Sequence, residues 1–91
     1  MYIKEEYSMQ FVIVVYRSRN VTMQAYNFVT RRGITASVVS TPRSVNVGCG
    51  LSLKMPRQAL DVVGETLEKG ETFVGFFLVQ NTARGMLLTR L

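Results

Sequence analysis

The residue best suited to covalent chemistry in this 91-residue chain is its only cysteine, Cys49, which lies between Gly48 and Gly50. A thiolate is a nucleophile, and glycines on both sides leave room for a bulky reagent and permit turn conformations. The chain has no histidine, which excludes Ser-His-Asp and Cys-His catalytic arrangements. One cysteine without histidine also leaves no zinc site within one chain. The sequence therefore points to thiol chemistry, and we expect neither a metal nor a resident cofactor.

The segment before this cysteine contains residues that could support a reactive sulfur. Arg43, which follows Pro42 at the entry to this loop, is the nearest cation before the cysteine that could stabilise a thiolate. Ser44 and Asn46 could donate hydrogen bonds to the sulfur, although loops commonly use such side chains for their own turns. The competing interpretation is a buried, inert Cys49 at the start of a strand, because free cysteines are among the most buried residues.

Hydropathy and turn residues indicate the elements that position this loop. Gln10–Tyr16 is a continuous β-branched and aromatic run, typical of a strand buried on both faces. A helix is expected next, with Asn20 as its N-cap and Gly33 at its end. The remaining elements are expected to be strands over 34–41, 51–55 and 73–79, a helix between Pro56 and Gly70, and a C-terminal tail over 80–91.

This order predicts an α+β fold. Short connections and right-handed crossovers favour a ferredoxin-like βαββαβ arrangement, in which a four-stranded antiparallel sheet carries two helices on one face. We expect a single domain over 1–91 with its core at about 9–79. The first and last strands are apolar on both faces, whereas the helices would cover only one. The sequence therefore predicts a homodimer through the open sheet face, or else a tail that folds back with Met86–Leu88.

Charge and hydropathy restrict the partners. The net charge is +5, and no acidic residue occurs from Tyr7 to Leu60, so the surface could attract anions or simply keep the protein soluble. The predicted third strand has no aromatic residue for base stacking, so no nucleic-acid partner is expected. Apolar runs are far shorter than the ~18 to 20 residues that span a bilayer. The N-terminal Lys4, Glu5 and Glu6 do not resemble a signal peptide, and an unpaired cysteine suits a cytoplasmic protein.

The stretch Thr41-Pro42-Arg43-Ser44, followed after a few residues by Gly48-Cys49-Gly50-Leu51, resembles a family of small bacterial domains described as selenium/sulfur carrier protein-like. An opening apolar strand that ends in Tyr16, the Gly33-Ile34 junction and Gly75-Phe76 are also similar to that family. The resemblance extends over roughly residues 9–79.

The resemblance implies a carrier that holds sulfur or selenium on Cys49 as a persulfide-type adduct, and not a stand-alone enzyme. It implies a supporting loop, together with a desulfurase-type donor and an acceptor protein. The residues of that loop would be Thr41, Pro42, Arg43, Ser44, Gly48 and Gly50. The alternative function is a non-catalytic dimeric module that recognises a small anion or a partner protein.

Overall fold

The computed structural model of the protein describes residues 10–91. Lys4, Glu5 and Glu6, which do not resemble the start of a signal peptide, lie outside that range. The described elements are β1 (Gln10–Tyr16), α1 (Arg19–Arg31), β2 (Ser37–Ser40), β3 (Leu51–Met55), a short 3-10 helix (Arg57–Ala59), α2 (Leu60–Leu67), β4 (Phe73–Thr82) and β5 (Gly85–Arg90).

The sheet has five antiparallel strands in the order β2-β3-β1-β4-β5. The expected four-stranded ferredoxin-like βαββαβ arrangement is therefore wrong, although the architecture is α+β. The difference arises because β4 continues past Val79 and the chain then reverses into β5, whose first residue, Gly85, has a φ of 125°. Residues expected as a tail thus pair along β4, from Thr82 opposite Gly85 to Phe77 opposite Arg90.

Helix α1 begins two residues earlier than expected. Ser18, and not Asn20, is the N-cap: its backbone is extended and its Oγ accepts a hydrogen bond from the Val21 amide at 3.2 Å. Such a bond satisfies one of the amides that a helix start leaves without an internal partner. At the other end, Gly33 has the positive φ of 81° that favours glycine after a helix. The early start places Thr22 at the end of the first turn, on the buried face of the helix.

The helices pack on one face of the sheet. Tyr16 joins the end of β1 to the end of α2, because its hydroxyl donates to the Leu67 carbonyl at 2.7 Å and its ring meets Phe73 edge-on. Burial raises the pKa of Tyr16 to about 12. These contacts of Tyr16 fix the end of β1, to which the loop with Cys49 is hydrogen-bonded. The buried residues on this side are Val12, Val14, Tyr16, Ala25, Val29, Leu53, Met55, Ala59, Val63, Leu67 and Leu78.

The opposite face of the sheet has a smaller apolar cluster, and no helix of the described chain packs on it. Long cationic side chains lie over two of its rings, with the Lys54 ammonium 4.3 Å from the Phe11 centroid and the Arg90 guanidinium 5.4 Å from that of Phe77. Leu88 of β5 packs against the cluster, so part of the predicted tail does contribute cover, but as a paired strand. The buried members are Ile13, Val15, Val74, Phe77 and Val79. A homodimer through this face stays a prediction.

Candidate functional site

The candidate site is the loop of residues 41–50, which connects β2 to β3. Its two ends are joined, since the Thr41 amide donates to the Gly50 carbonyl at 2.9 Å. The Thr41 hydroxyl also lies 2.6 Å from the Ser52 hydroxyl of β3. Within the loop, the Val45 amide donates to the Pro42 carbonyl at 3.1 Å. Thr41 and Pro42 therefore shape the loop through hydrogen bonds that do not involve the sulfur.

Two glycines determine the path of the chain around Cys49. Gly48 and Gly50 have φ values of 100° and 91°, a backbone conformation that residues with a Cβ rarely adopt. Gly48 also lies tightly against β1, because a Cβ at this position would come within 2.7 Å of Val15 Cγ1. Nothing lies within 4 Å of a Cβ at Gly50. The first glycine is thus required by both backbone conformation and space, and the second by conformation alone.

The thiol of Cys49 is half-buried at the end of β1 near the start of α1. The backbone amide of Cys49 donates to the Tyr16 carbonyl at 3.1 Å, which fixes the cysteine to the last residue of β1. The sulfur lies 3.5 Å from the Leu51 carbonyl oxygen and 3.6 Å from the Thr22 hydroxyl. The inert alternative predicted a buried Cys49 at the start of a strand. The observed sulfur instead has polar atoms beside it and retains partial exposure.

The sequence-predicted loop residues do not all meet at the sulfur. Arg43 and Ser44 are exposed, and within residues 10–91 no hydrogen bond joins either side chain to Cys49. Arg43 instead faces a concavity of about 450 Å³ on the loop, which Gly48 and Gly50 also line. It also lines a groove on the open sheet face, with Phe11 and Lys54. Arg43 is therefore placed to meet a molecule that approaches the loop.

Sequence reasoning missed Thr22. The buried positions of α1 are Thr22, Ala25 and Val29. Their three- and four-residue spacing is the ordinary pattern of a buried helix face. A threonine in that pattern is a polar group inside the protein, and such a group needs a hydrogen-bond partner. That requirement is the signal that could have marked it.

The first turn of α1 contains no acidic residue and begins with Arg19. Across residues 10–91, no three His, Cys, Asp or Glu side chains come together in a way that could hold a metal ion. Neither helix of the described range has the length and apolar character needed to cross a membrane.

Comparison with known proteins gives one result that bears on this site. The family model described as "Putative Se/S carrier protein-like" matches residues 11–74. No curated protein and no solved structure matches the chain. The matched range runs from β1 to the start of β4 and includes the whole loop with Cys49, while β5 lies outside it. The chain belongs to the "Putative Se/S carrier protein-like" family.

Proposed function

We propose that this protein is a thiol-based carrier that accepts a sulfur or selenium atom on Cys49 and passes it to an acceptor protein in the cytoplasm. The observation that carries the proposal is a half-buried, polar-flanked thiol between two glycines of positive φ, within a chain of this family. Such a thiol combines a fixed backbone with partial access for a donor. No acid-base residue on the carrier is needed, which is consistent with a chain that has no histidine.

The transfer is an exchange between sulfur atoms. The Cys49 thiolate attacks the outer sulfur of a donor persulfide, R–S–SH, and a new S–S bond forms as the donor's S–S bond breaks. The donor leaves as the thiolate R–S⁻, and Cys49 becomes the persulfide Cys–S–SH. An acceptor thiolate then attacks the outer sulfur and releases the Cys49 thiolate. The zero-valent sulfur atom moves without an external oxidant or reductant, and the selenium reaction has selenium in its place.

Donor approach to the loop depends on charge in this proposal. Polysulfides such as tetrasulfide are anions, as is a donor persulfide once it loses its proton, and the exposed Arg43 lines the concavity beside Gly48 and Gly50. A cation there raises the local concentration of an anionic donor. We therefore assign Arg43 to recruitment of the donor, which we expect to be a desulfurase-type protein.

The test is sulfur loading followed by intact-mass measurement. Wild-type protein is incubated with sodium tetrasulfide, and in a second arm with a cysteine desulfurase and cysteine. The expected product is heavier by about 32 Da, the mass of one sulfur atom, and returns to the starting mass with dithiothreitol. Cys49→Ser is the matched control, because it removes the only thiol in the chain. Absence of the adduct in both arms, or an adduct that persists in Cys49→Ser, contradicts a carrier role.

The open sheet face supports a second candidate, a dimeric module that binds a small anion or a partner protein. Its groove has an apolar floor that includes Ile13 and Val79, with Arg43 and Lys54 beside it. Sedimentation equilibrium of wild type and Met86→Glu tests the dimer, because Met86 lines that groove and is 54% exposed. A wild-type monomer would exclude dimerisation. A dimer that dissociates in Met86→Glu, in a protein that takes no sulfur, would favour this candidate over the carrier.

A further inference from the structure

We infer that Thr22 is a positioning residue for the Cys49 sulfur, and that its hydroxyl changes hydrogen-bond partner when the sulfur becomes charged. The inference rests on the proposed carrier function. The Thr22 hydroxyl lies 3.0 Å from the Ser18 carbonyl oxygen and 3.6 Å from Cys49 Sγ. Thr22 is fully buried, so within the described chain these two atoms are the partners that its proton can reach.

The neutral thiol has a complete set of hydrogen bonds. A threonine hydroxyl carries one proton and a thiol carries one weakly donated proton. The Thr22 proton can point to the Ser18 carbonyl, while the Cys49 proton points to the Leu51 carbonyl at 3.5 Å. In this arrangement no donor needs to point at the sulfur.

Loss of the thiol proton changes this arrangement. The charged sulfur then faces the Leu51 carbonyl oxygen without a proton between them, and two electron-rich atoms at 3.5 Å repel each other. Rotation of the Thr22 hydroxyl about its Cβ–Oγ1 bond directs its proton at the sulfur and supplies a charge-assisted hydrogen bond. The Ser18 carbonyl retains the Thr22 backbone amide at 3.0 Å, so it keeps a hydrogen-bond partner after the hydroxyl turns away.

The location of Thr22 strengthens this effect. It ends the first turn of α1, where the helix dipole favours negative charge, and that turn contains no acidic residue. The hydroxyl belongs to a fully buried residue, whereas Cys49 is only half-buried. It can thus hold the thiolate in one orientation while the exposed side stays open to the donor. The same bond forms again when an acceptor removes the outer sulfur and Cys49 leaves as a thiolate.

The experiment measures the alkylation rate of Cys49 by iodoacetamide at fixed pH in the folded protein. Thr22→Val keeps the shape of the side chain without the hydroxyl, and we expect the alkylation rate to decrease by about threefold. Loss of a hydrogen bond to a charged group lowers the thiolate fraction by about tenfold, and the less stabilised thiolate regains about threefold in nucleophilicity. Thr22→Ser keeps the hydroxyl and should stay within about twofold of wild type. Thr30→Val is the matched control, because the Thr30 hydroxyl donates to the Tyr26 carbonyl on the same helix and touches no sulfur.

Two results would overturn the inference. The first is a folded Thr22→Val variant that reacts at the wild-type rate. The second is a Thr22→Ser variant as slow as Thr22→Val, which would assign the effect to packing of the methyl group. Circular dichroism checks folding, and Thr22→Ala replaces Thr22→Val if the latter does not fold. Tetrasulfide loading separates the two proposals: alkylation that depends on Thr22 in a protein that takes no sulfur supports the positioning role and contradicts the carrier.

Discussion

Gly48 packs against Val15 at the centre of the sheet, so closely that a Cβ at Gly48 would lie 2.7 Å from Val15 Cγ1. It would also lie 3.1 Å from the Tyr16 carbonyl oxygen, which accepts the Cys49 amide. Gly48 is therefore in direct contact with β1. This contact, together with the hydrogen bond from the Cys49 amide, determines where the sulfur lies relative to the most buried strand. Space at this one glycine decides whether the loop can close on the sheet.

Gly48→Ala should consequently destabilise the protein more than Gly50→Ala. Both substitutions force an L-residue into positive φ, which costs about 1 kcal/mol or more. Only Gly48→Ala adds a steric conflict with Val15 and the backbone of Tyr16, for a further 1 to 3 kcal/mol or so. Urea denaturation measures the two free energies of unfolding. Equal losses in the two variants would contradict the close approach.

Tyr16→Phe should lower stability at neutral pH and weaken the loss of stability at alkaline pH. Removal of the hydroxyl leaves the buried Leu67 carbonyl without its donor, at a cost of about 1 to 3 kcal/mol. The pKa of Tyr16 is raised from 10.0 to about 12 in the folded protein. The unfolded chain therefore ionises first, and the stabilisation by the neutral phenol is complete below pH 10 and lost as pH rises towards 12.

The measurement for Tyr16 is the free energy of unfolding of wild type and variant at pH 7 and pH 11, with Tyr26→Phe as the control. The difference between wild type and Tyr16→Phe should be smaller at the higher pH. A difference that stays constant with pH would show that ionisation of this buried phenol does not couple to folding.

Arg43→Ala should slow the reaction of Cys49 with the anionic tetrasulfide by a few-fold at low salt and leave the reaction with neutral iodoacetamide unchanged. The reason is that an exposed cation steers a charged reagent to the loop without bonding to the sulfur. Salt should reduce the difference, because it screens exposed charges. Arg31→Ala removes another exposed cation, at the end of α1, and serves as control. A slower iodoacetamide reaction in Arg43→Ala would instead indicate a direct effect on the thiol.

Arg90→Ala should lower the free energy of unfolding by about 1 kcal/mol, because it removes a hydrogen bond that ties β5 to β4. The Arg90 guanidinium donates to the Val74 carbonyl at 2.6 Å and lies over the ring of Phe77. Arg84→Ala, in the exposed turn before β5, should change stability by less than about 0.5 kcal/mol. Urea denaturation provides the comparison, and identical values for the two variants would contradict a structural role for Arg90.

Local pattern predicted the elements that depend on neighbouring residues in the chain. The apolar run Gln10–Tyr16 and the alternation in Leu51–Met55 became β1 and β3 with those bounds. Gly33 takes the positive φ expected after the first helix. The strand expected over 73–79 begins at Phe73 but continues to Thr82, and the expected tail contains β5. The turn at Ala83 and Arg84 has no strong turn residue that would have marked the reversal. Pairing with β4 is what makes Gly85–Arg90 a strand.

The sequence by itself determined the chemical inventory of this protein: one thiol between two glycines, no imidazole, and a loop that has an arginine but no acid. It could not identify the side chain beside the sulfur, because Thr22 and Cys49 are 27 residues apart and no local pattern connects them. Only the tertiary structure placed the hydroxyl of α1, and not Arg43 or Ser44, next to the thiol. The physical reason is that α1 packs its buried face on the sheet while the loop is tied to β1, and both constraints act across the fold and not along the chain.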